Sequence, residues 1–164
     1  MASILKNLSD FSHTTIPNAA NYKFGIIVAS WNLDVTSSLY KSAYDALIEN
    51  HTIEENILSV EVSGSYELIA AADLLLDSKK VDAVICLGCV IQGETKHFDF
   101  ICNAVVMGLA NVGIKHTKPV IFGVLTTNNL QQALDRAGGK HGNKGHEAAV
   151  TAIKMAYLAN NLNN

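Results

Sequence analysis

The sequence is short of charge, of arginine and of cysteine. Charged residues make up 16% of its 164 positions, the formal net charge is −3, and the basic residues are scattered. This pattern argues against a nucleic acid or an anionic membrane as a partner. No continuous apolar run approaches the roughly 20 residues that span a bilayer, and the start MASILKNLSDF lacks the regions of a signal peptide. We therefore expect a cytoplasmic protein whose ligands are small molecules.

Three cysteines do not make an obvious disulfide framework, although Cys86 and Cys89 have the C-x-x-C spacing of metal and redox motifs. Residues three apart on a regular strand point to opposite faces, so these two thiols cannot chelate one metal ion. A free cysteine behaves as a small buried hydrophobe. We expect Cys86, Cys89 and Cys102 to be structural, and the site to hold no metal.

Apolar residues are abundant, at 49%, which is enough for one domain that spans residues 1–164. Four nearly continuous apolar runs rich in Val and Ile predict parallel strands covered on both faces: FGIIVAS, NILSVEV, AVICLGCV and PVIFGVL. Helical spacing of apolar residues predicts helices over about 34–50, 66–79, 98–113, 128–137 and 145–160. The alternation predicts an α/β fold, a flavodoxin-like three-layer α/β/α sandwich around a four-stranded parallel sheet.

Polar or glycine-containing turns follow all four predicted strands, at the edge of the sheet where such folds bind ligands. They read SWN, SGSYE, QGETKH and LTTNN. Trp31, the only tryptophan, offers a flat ring that can stack on a heterocycle, with a packing role as the equal alternative. Gly64 permits close backbone approach just before a predicted helix start, whose free N–H groups can hold hydroxyls or an anion.

The stretch GETKH, Gly93 to His97, is the most specific of these turns. A glycine and a threonine before a helix start form an anion site from backbone N–H groups and the helix dipole. His97 can transfer protons near neutral pH. One loop could therefore hold a phosphate and relay protons. The alternative is that Thr95 or Lys96 only starts a helix and His97 is a solvated residue of its first turn.

Arg136 is the only arginine in the chain, and it lies in the glycine-rich segment DRAGGKHGNKGHE. The planar guanidinium binds phosphate in a bidentate way that lysine does not match. Lysine is the basic residue at all other positions, so the single arginine indicates a role that lysine cannot fill. Binding of a phosphate would be such a role.

These motifs together resemble lumazine synthase, the penultimate enzyme of riboflavin biosynthesis, across about residues 22 to 158. The resemblance is carried, in order and at the family's spacing, by SWN, SGSYELIAAA, GCVIQGETKHFDFICNAV and PVIFGVLTTNNLQQALDRAGGKHGNKGHEAA. It implies a transferase that condenses 5-amino-6-ribitylamino-uracil with 3,4-dihydroxy-2-butanone 4-phosphate. The implied products are 6,7-dimethyl-8-ribityllumazine, phosphate and water, and the reaction uses no metal and no organic cofactor.

The resemblance also implies the site, position by position. Trp31 stacks on the pyrimidine ring, His97 transfers protons and Arg136 clamps the phosphate. Phe122 and Lys144 are contributed across a subunit boundary, so a neighbouring chain completes the site. With Gly64 included, the expected substrate-binding residues are Trp31, Asn32, Gly64, Ser65, Glu67, Val90, Ile91, Gly93, Glu94, Thr95, Phe122, Arg136 and Lys144. Within this set, Asn32, Ser65 and Glu67 line the ribityl chain, and Gly93, Glu94 and Thr95 hold the phosphate.

The resemblance further implies a homo-oligomer whose common unit is a pentamer. Residues 1–21 form an N-terminal extension that makes intersubunit contacts, and Thr14 to Asn18 would add a strand to a neighbour's sheet, which would cover an open edge. The compact segment AGGKHGNKG is like the form associated with icosahedral shells of pentamers. Riboflavin synthase is the candidate protein partner.

Two other classes share the expected fold. A flavodoxin-like protein that binds a flavin or a nucleotide without catalysis is one, because a fold does not fix a function. A shell that stores a flavin without turnover is the other, and the presence of both His97 and Arg136 argues against it. A phosphoryl-switch receiver fits poorly, because such a protein needs clustered acids after the first and third strands and this chain has none there.

Overall fold

The structure, a computed structural model, describes residues 7, 9–11, 15–78 and 80–163. The elements run β1 (Phe24–Ala29), α1 (Leu33–Glu49), a 3-10 turn (Glu54–Asn56), β2 (Ile57–Val62), α2 (Leu68–Asp77), β3 (Ala83–Ile91), α3 (His97–His116), β4 (Val120–Thr127), α4 (Leu130–Asp135), β5 (Ala137–Gly139), β6 (Gly142–Asn143) and α5 (Lys144–Asn163). All four predicted strands and all five predicted helices are present among them.

The main sheet has four parallel strands in the order β2-β1-β3-β4. The two central strands, β1 and β3, are buried over most of their length, as their continuous apolar sequences predict. The strands β2 and β4 are the two edges, and β2 is largely exposed in this chain. The parallel sheet with helices on both sides confirms the predicted flavodoxin-like α/β fold.

Helices cover both faces of the sheet and give it two separate apolar cores. One core joins α1 and α5 to the sheet through residues such as Leu39 and Ile153. The other joins α2 and α3 to the opposite face through residues such as Leu68 and Leu109. The arrangement is therefore the predicted three-layer sandwich, with an α1/α5 layer and an α2/α3 layer.

The cysteines of the C-x-x-C spacing lie on opposite faces of β3, as predicted. Cys86 packs into the α2/α3 core and Cys89 into the α1/α5 core. Burial raises the pKa of both thiols, that of Cys89 to about 11, so both stay protonated at neutral pH. A buried, protonated thiol packs as a small apolar group, which is the structural role predicted for the pair.

The helix ends differ from the predicted ones by one to three residues, and one pair of short strands was not predicted. The helix α3 continues three residues beyond its predicted end at 113, through Gly113, and stops where Thr117 adopts a left-handed conformation with φ of 50°. The short antiparallel pair β5–β6 was not predicted, because strands of three and two residues are too short to show periodicity. Gly138 and Gly142, with φ of 106° and 82°, provide the backbone that this hairpin needs.

The described part of the N-terminal extension folds back onto α5 of its own chain. The Ser9 hydroxyl accepts a hydrogen bond from the Asn143 N–H at 2.7 Å, and the Phe11 ring lies 5.4 Å from the His146 ring. Thr14 lies outside the described residues, and Thr15 to Asn18 belong to no strand of this chain. The added strand therefore stays a prediction that depends on a neighbouring chain.

The helix α3 is apolar and mostly uncovered. By length and composition it could cross a membrane, with a mean hydropathy of 1.4 over its most apolar stretch, of which only 17% is buried. The helix nevertheless contains no continuous apolar run of about 20 residues, because polar residues such as Asp99 and Asn103 interrupt it. Phe100, Met107 and Ile114 are among its exposed side chains.

Candidate functional site

A cleft of about 370 Å³ opens at the carboxyl ends of β1, β2 and β3, a size suited to a small molecule. The structure brings together here seven of the predicted site residues, which are Trp31, Asn32, Ser65, Glu67, Val90, Ile91 and His97. Tyr66, Cys89 and Ile101 also line the cleft. The edge of the sheet that the polar turns indicate is therefore the edge that carries the cleft.

The turn after β1 supplies an aromatic face and an amide. Trp31 is 67% exposed, and its N–H donates to the Ser63 carbonyl at 3.1 Å, which joins this turn to the one after β2. Asn32 has a left-handed backbone, with φ of 60°, and its side-chain Nδ2 donates to the Cys89 carbonyl at 2.9 Å. That bond fixes the amide against β3 and orients its oxygen, which accepts no hydrogen bond from a described residue. Non-glycine residues held in this conformation are common at binding sites.

Gly64, in the turn after β2, makes room for other side chains of the site. A Cβ at this position would lie 3.1 Å from both Trp31 Cε3 and Glu67 Oε2. The Gly64 N–H donates to the same Glu67 oxygen at 3.1 Å. The absence of a side chain thus lets the Trp31 ring and the Glu67 carboxylate approach the backbone, which accounts for the glycine through the protein's own packing.

Ser65 is buried at the base of the cleft because of a second glycine. A Cβ on Gly88, in the middle of β3, would lie 2.6 Å from the Ser65 hydroxyl oxygen. Sequence reasoning missed Gly88, although a glycine inside an apolar strand signals close approach by another group. Ile101 was also missed, and the signal for it is its position one helical turn after His97.

The loop after β3 has the features of an anion site. Residues 93–96 are exposed, and their N–H groups donate to none of the described residues. A Cβ on Gly93 would meet nothing within 4 Å, so the space beside this backbone is open. The His97 N–H reaches the Thr95 hydroxyl at 3.4 Å, and His97 begins α3, where the helix dipole favours a negative charge. His97 is therefore a first-turn residue, as in the alternative, and lines the cleft as well.

Arg136 lies outside this cleft, among ion pairs of its own. Its Nη1 donates to the His141 carbonyl at 2.7 Å, and its Nη2 lies 2.8 Å from Glu147 Oε1. Lys144 Nζ lies 3.3 Å from Glu147 Oε2. We call Arg136, Lys144 and Glu147 the arginine cluster. It joins the end of α4 to the first turn of α5, and the hairpin beside it contacts α1, so it belongs to the α1/α5 layer.

Phe122 also lies away from the cleft of its own chain. It sits on the edge strand β4, half-buried, and packs against the α2/α3 core. Three of the predicted substrate-binding residues therefore do not line the cleft of their own chain, and these are Phe122, Arg136 and Lys144. Within the described ranges, no three His, Cys, Asp or Glu side chains are grouped so as to hold a metal ion.

Comparison with known proteins gives one consistent result. The sequence model of the family described as 6,7-dimethyl-8-ribityllumazine synthase matches residues 21–160. A protein of that name from Cytophaga hutchinsonii is 57% identical over 155 residues, which cover 94% of this chain and 97% of that protein. One from Flavobacterium johnsoniae is 52% identical over 158 residues, covering 96% and 83%. Another from Porphyromonas gingivalis is 48% identical over 158 residues, covering 96% and 98%.

Proposed function

The chain belongs to the 6,7-dimethyl-8-ribityllumazine synthase family, and from this we infer that it is an enzyme of riboflavin biosynthesis. It condenses 5-amino-6-ribitylamino-uracil with 3,4-dihydroxy-2-butanone 4-phosphate, and it releases 6,7-dimethyl-8-ribityllumazine, phosphate and water. The observation that carries this assignment is the cleft itself, in which the residues expected around the pyrimidine and its ribityl chain meet beside a histidine.

We propose specific roles for the residues of the cleft. The exposed Trp31 ring stacks on the pyrimidine, since a flat ring at the mouth of a cleft offers a stacking face. Asn32, Ser65 and Glu67 bind the hydroxyls of the ribityl chain, because all three line the cleft with polar atoms. Val90 and Ile91 contact the edge of the ring from the end of β3. The open loop at 93–96 receives the phosphate on its backbone N–H groups.

The chemistry needs no nucleophile from the protein, because the amine of the pyrimidine attacks the ketone of the second substrate. The later steps are dehydration, loss of phosphate and ring closure, which require proton transfer and stabilisation of a leaving dianion. His97 lines the cleft and lies at the end of the open loop, so it can transfer these protons. Holding two reactive substrates in register can contribute up to about 7–11 kcal/mol in favourable cases.

We propose that a neighbouring copy of the chain completes each site with Arg136, Phe122 and Lys144. The support for Arg136 and Lys144 is that neither lines the cleft of its own chain and that both are bound to Glu147 at the start of α5. The support for Phe122 is that it lies on the edge strand β4, away from the cleft. In the proposed assembly, the α4–α5 corner of one copy approaches the cleft of the next and brings its arginine to the phosphate loop.

We propose a pentamer as the unit of this assembly, with a shell of pentamers as the larger form and riboflavin synthase as the candidate partner. The support is the amount of apolar surface left open in one chain, on the mostly uncovered α3 and along the edge strand β2. We propose that the segment before β1 adds a strand to the edge of a neighbouring chain's sheet. Cytoplasmic location stays a prediction of the sequence.

The direct test is to mix the purified protein with the two substrates and follow the absorbance of the lumazine product. We expect product and phosphate in equal amounts, with turnover that depends on both substrates. Tight binding of a flavin or of the pyrimidine without any turnover would instead support the non-catalytic alternative. Light scattering of the same sample reports the oligomeric state.

A further inference from the structure

Glu147 is the buried acid around which the arginine cluster is built. Its side chain is 11% exposed, and it lies in the first turn of α5, where the helix dipole stabilises a carboxylate. Two cations share this one carboxylate, since Arg136 Nη2 lies 2.8 Å from Oε1 and Lys144 Nζ lies 3.3 Å from Oε2. The cluster therefore keeps a net charge of about +1 while its acid is neutralised.

Two contacts hold the Arg136 guanidinium, one at each of its two Nη atoms. Nη2 is held by Glu147 and Nη1 by the His141 carbonyl at 2.7 Å, so the plane of the group is set by two separate elements. Nε donates to no residue in the described part of the chain, and the Arg136 side chain is 15% exposed. An arginine held in this way still has N–H groups to offer a phosphate, and it offers them in a single orientation.

The N-terminal segment reaches the same carboxylate. The Ser9 hydroxyl lies 3.3 Å from Glu147 Oε1, and it also accepts the Asn143 N–H at 2.7 Å. A Cβ on Gly142 would lie 2.4 Å from that hydroxyl oxygen, so the hairpin leaves room for this contact. The segment before β1 is thereby connected to Arg136 through one acid.

We propose that Glu147 is a positioning residue for the phosphate-bearing substrate: it holds Arg136 in the orientation in which the guanidinium binds the phosphate. The proposal rests on the proposed function, because it takes the butanone phosphate as the ligand of Arg136. Glu147 itself contacts the cations and not the substrate. Its effect therefore passes through Arg136, and it acts on one of the two substrates only.

The test compares Glu147→Ala and Glu147→Gln with the wild-type protein, with Glu49→Gln as the matched control. Glu49 is an exposed acid at the end of α1, so the control removes the same charge away from the cluster. We expect Glu147→Ala to raise the KM for the butanone phosphate roughly tenfold, the size of one charge-assisted hydrogen bond. The KM for the ribityl pyrimidine should change by less than about twofold. The Glu147→Gln variant keeps a hydrogen-bond acceptor for Arg136 Nη2. Its KM for the butanone phosphate should therefore lie between that of the wild type and that of Glu147→Ala.

The same Glu147 substitution in a protein that lacks the positioned group distinguishes positioning from a general effect on stability. In a protein that carries both Arg136→Ala and Lys144→Ala, Glu147→Gln should have no further effect on either KM, because both cations that Glu147 contacts are gone. Equal losses for both substrates, or losses that add to those of this double variant, would show that Glu147 only stabilises the fold. If Glu147→Ala does not assemble, the Glu147→Gln variant carries the same comparison.

Titration with inorganic phosphate keeps the inference separate from the proposed reaction. If the wild-type protein made no lumazine, the proposed function would be wrong, but weaker phosphate binding by the Glu147 variants than by wild type would still support positioning. Unchanged binding would overturn it, and so would an absence of phosphate binding by the wild type. Tighter binding by the variants would show that Glu147 competes with phosphate for Arg136, which also overturns the proposal.

Discussion

The cleft and the arginine cluster are built in opposite ways. The cleft collects short turns that follow three adjacent parallel strands, and half of its lining residues are exposed. The arginine cluster is largely buried at the start of α5, and its charges are already bound to one another and to the backbone. The first region is shaped to receive a substrate, whereas the second is a preassembled corner that presents one cation.

The difference supports the proposal of a shared site, in which one chain contains two parts that two copies of the chain join. Parallel strands place their carboxyl ends at one edge, so the cleft follows from the sheet alone. The arginine follows an edge strand and is fixed by α5. In the proposed shared site, each chain supplies the cleft of one active site and the arginine cluster of a neighbouring active site.

Arg136→Lys should have the largest effect. A lysine cannot reproduce the contacts to both His141 and Glu147, nor a bidentate contact to phosphate. We expect kcat/KM for the butanone phosphate to fall by roughly 10²-fold or more, as for the loss of a donor to a developing anion. Binding of the ribityl pyrimidine, measured by titration, should change little. Equal losses for the two substrates would place Arg136 in the fold and not in the phosphate site.

His97→Ala should have a smaller effect, because it changes the cleft but leaves the orientation of both substrates intact. We expect turnover to fall by roughly 10²-fold or less, at the lower end of general acid–base contributions. Steady-state kinetics with both substrates measure the loss. A variant with unchanged turnover would show that another group transfers the protons.

Deleting residues 1–18 should affect the cluster more than the cleft. The deletion removes the Ser9 contact to Glu147 and the proposed added strand, so both assembly and activity should fall. Light scattering and steady-state kinetics on the same sample measure the two effects. A truncated protein with full assembly and full activity would remove the extension from the account.

Asp73→Asn should have the smallest effect and should leave catalysis unchanged. Hydrogen bonds from Lys115 and then His116 lower the pKa of Asp73 below its ordinary value of 3.8, and they join α2 to α3. A lowered folded-state pKa means that this stabilisation is present above the ordinary value and is lost as the pH falls through the folded one. The variant should therefore have a lower Tm than wild type at pH 7, and the difference should disappear in acid. A difference that persisted unchanged in acid would contradict the assignment.

Most of the fold could be predicted from the sequence because its signals are local. Continuous apolar runs such as AVICLGCV define central parallel strands, and the turns that follow them must share one edge. The hairpin β5–β6 could not be predicted, since its strands are too short for periodicity and depend on Gly138 and Gly142.

The cleft was predicted far better than the cluster, also for a physical reason. Trp31, Ser65 and His97 follow strand ends, and topology alone brings strand ends together. The layer on which Arg136 lies depends on how the chain returns after β4, and its partner Glu147 is eleven positions further along. No local pattern marks that pairing. Gly88 was missed because the group that requires a glycine there, the Ser65 hydroxyl, lies in the turn after a different strand.

The shared site is tested most directly by complementation between two defective chains. His97→Ala and Arg136→Ala chains are co-expressed, purified as mixed oligomers, and assayed at the same total chain concentration as each parent. Some sites in the mixture combine an intact cleft from one chain with an intact arginine cluster from another. We therefore predict activity clearly above that of either parent. Activity no higher than the average of the two parents would show that His97 and Arg136 act within one chain, and would contradict the account.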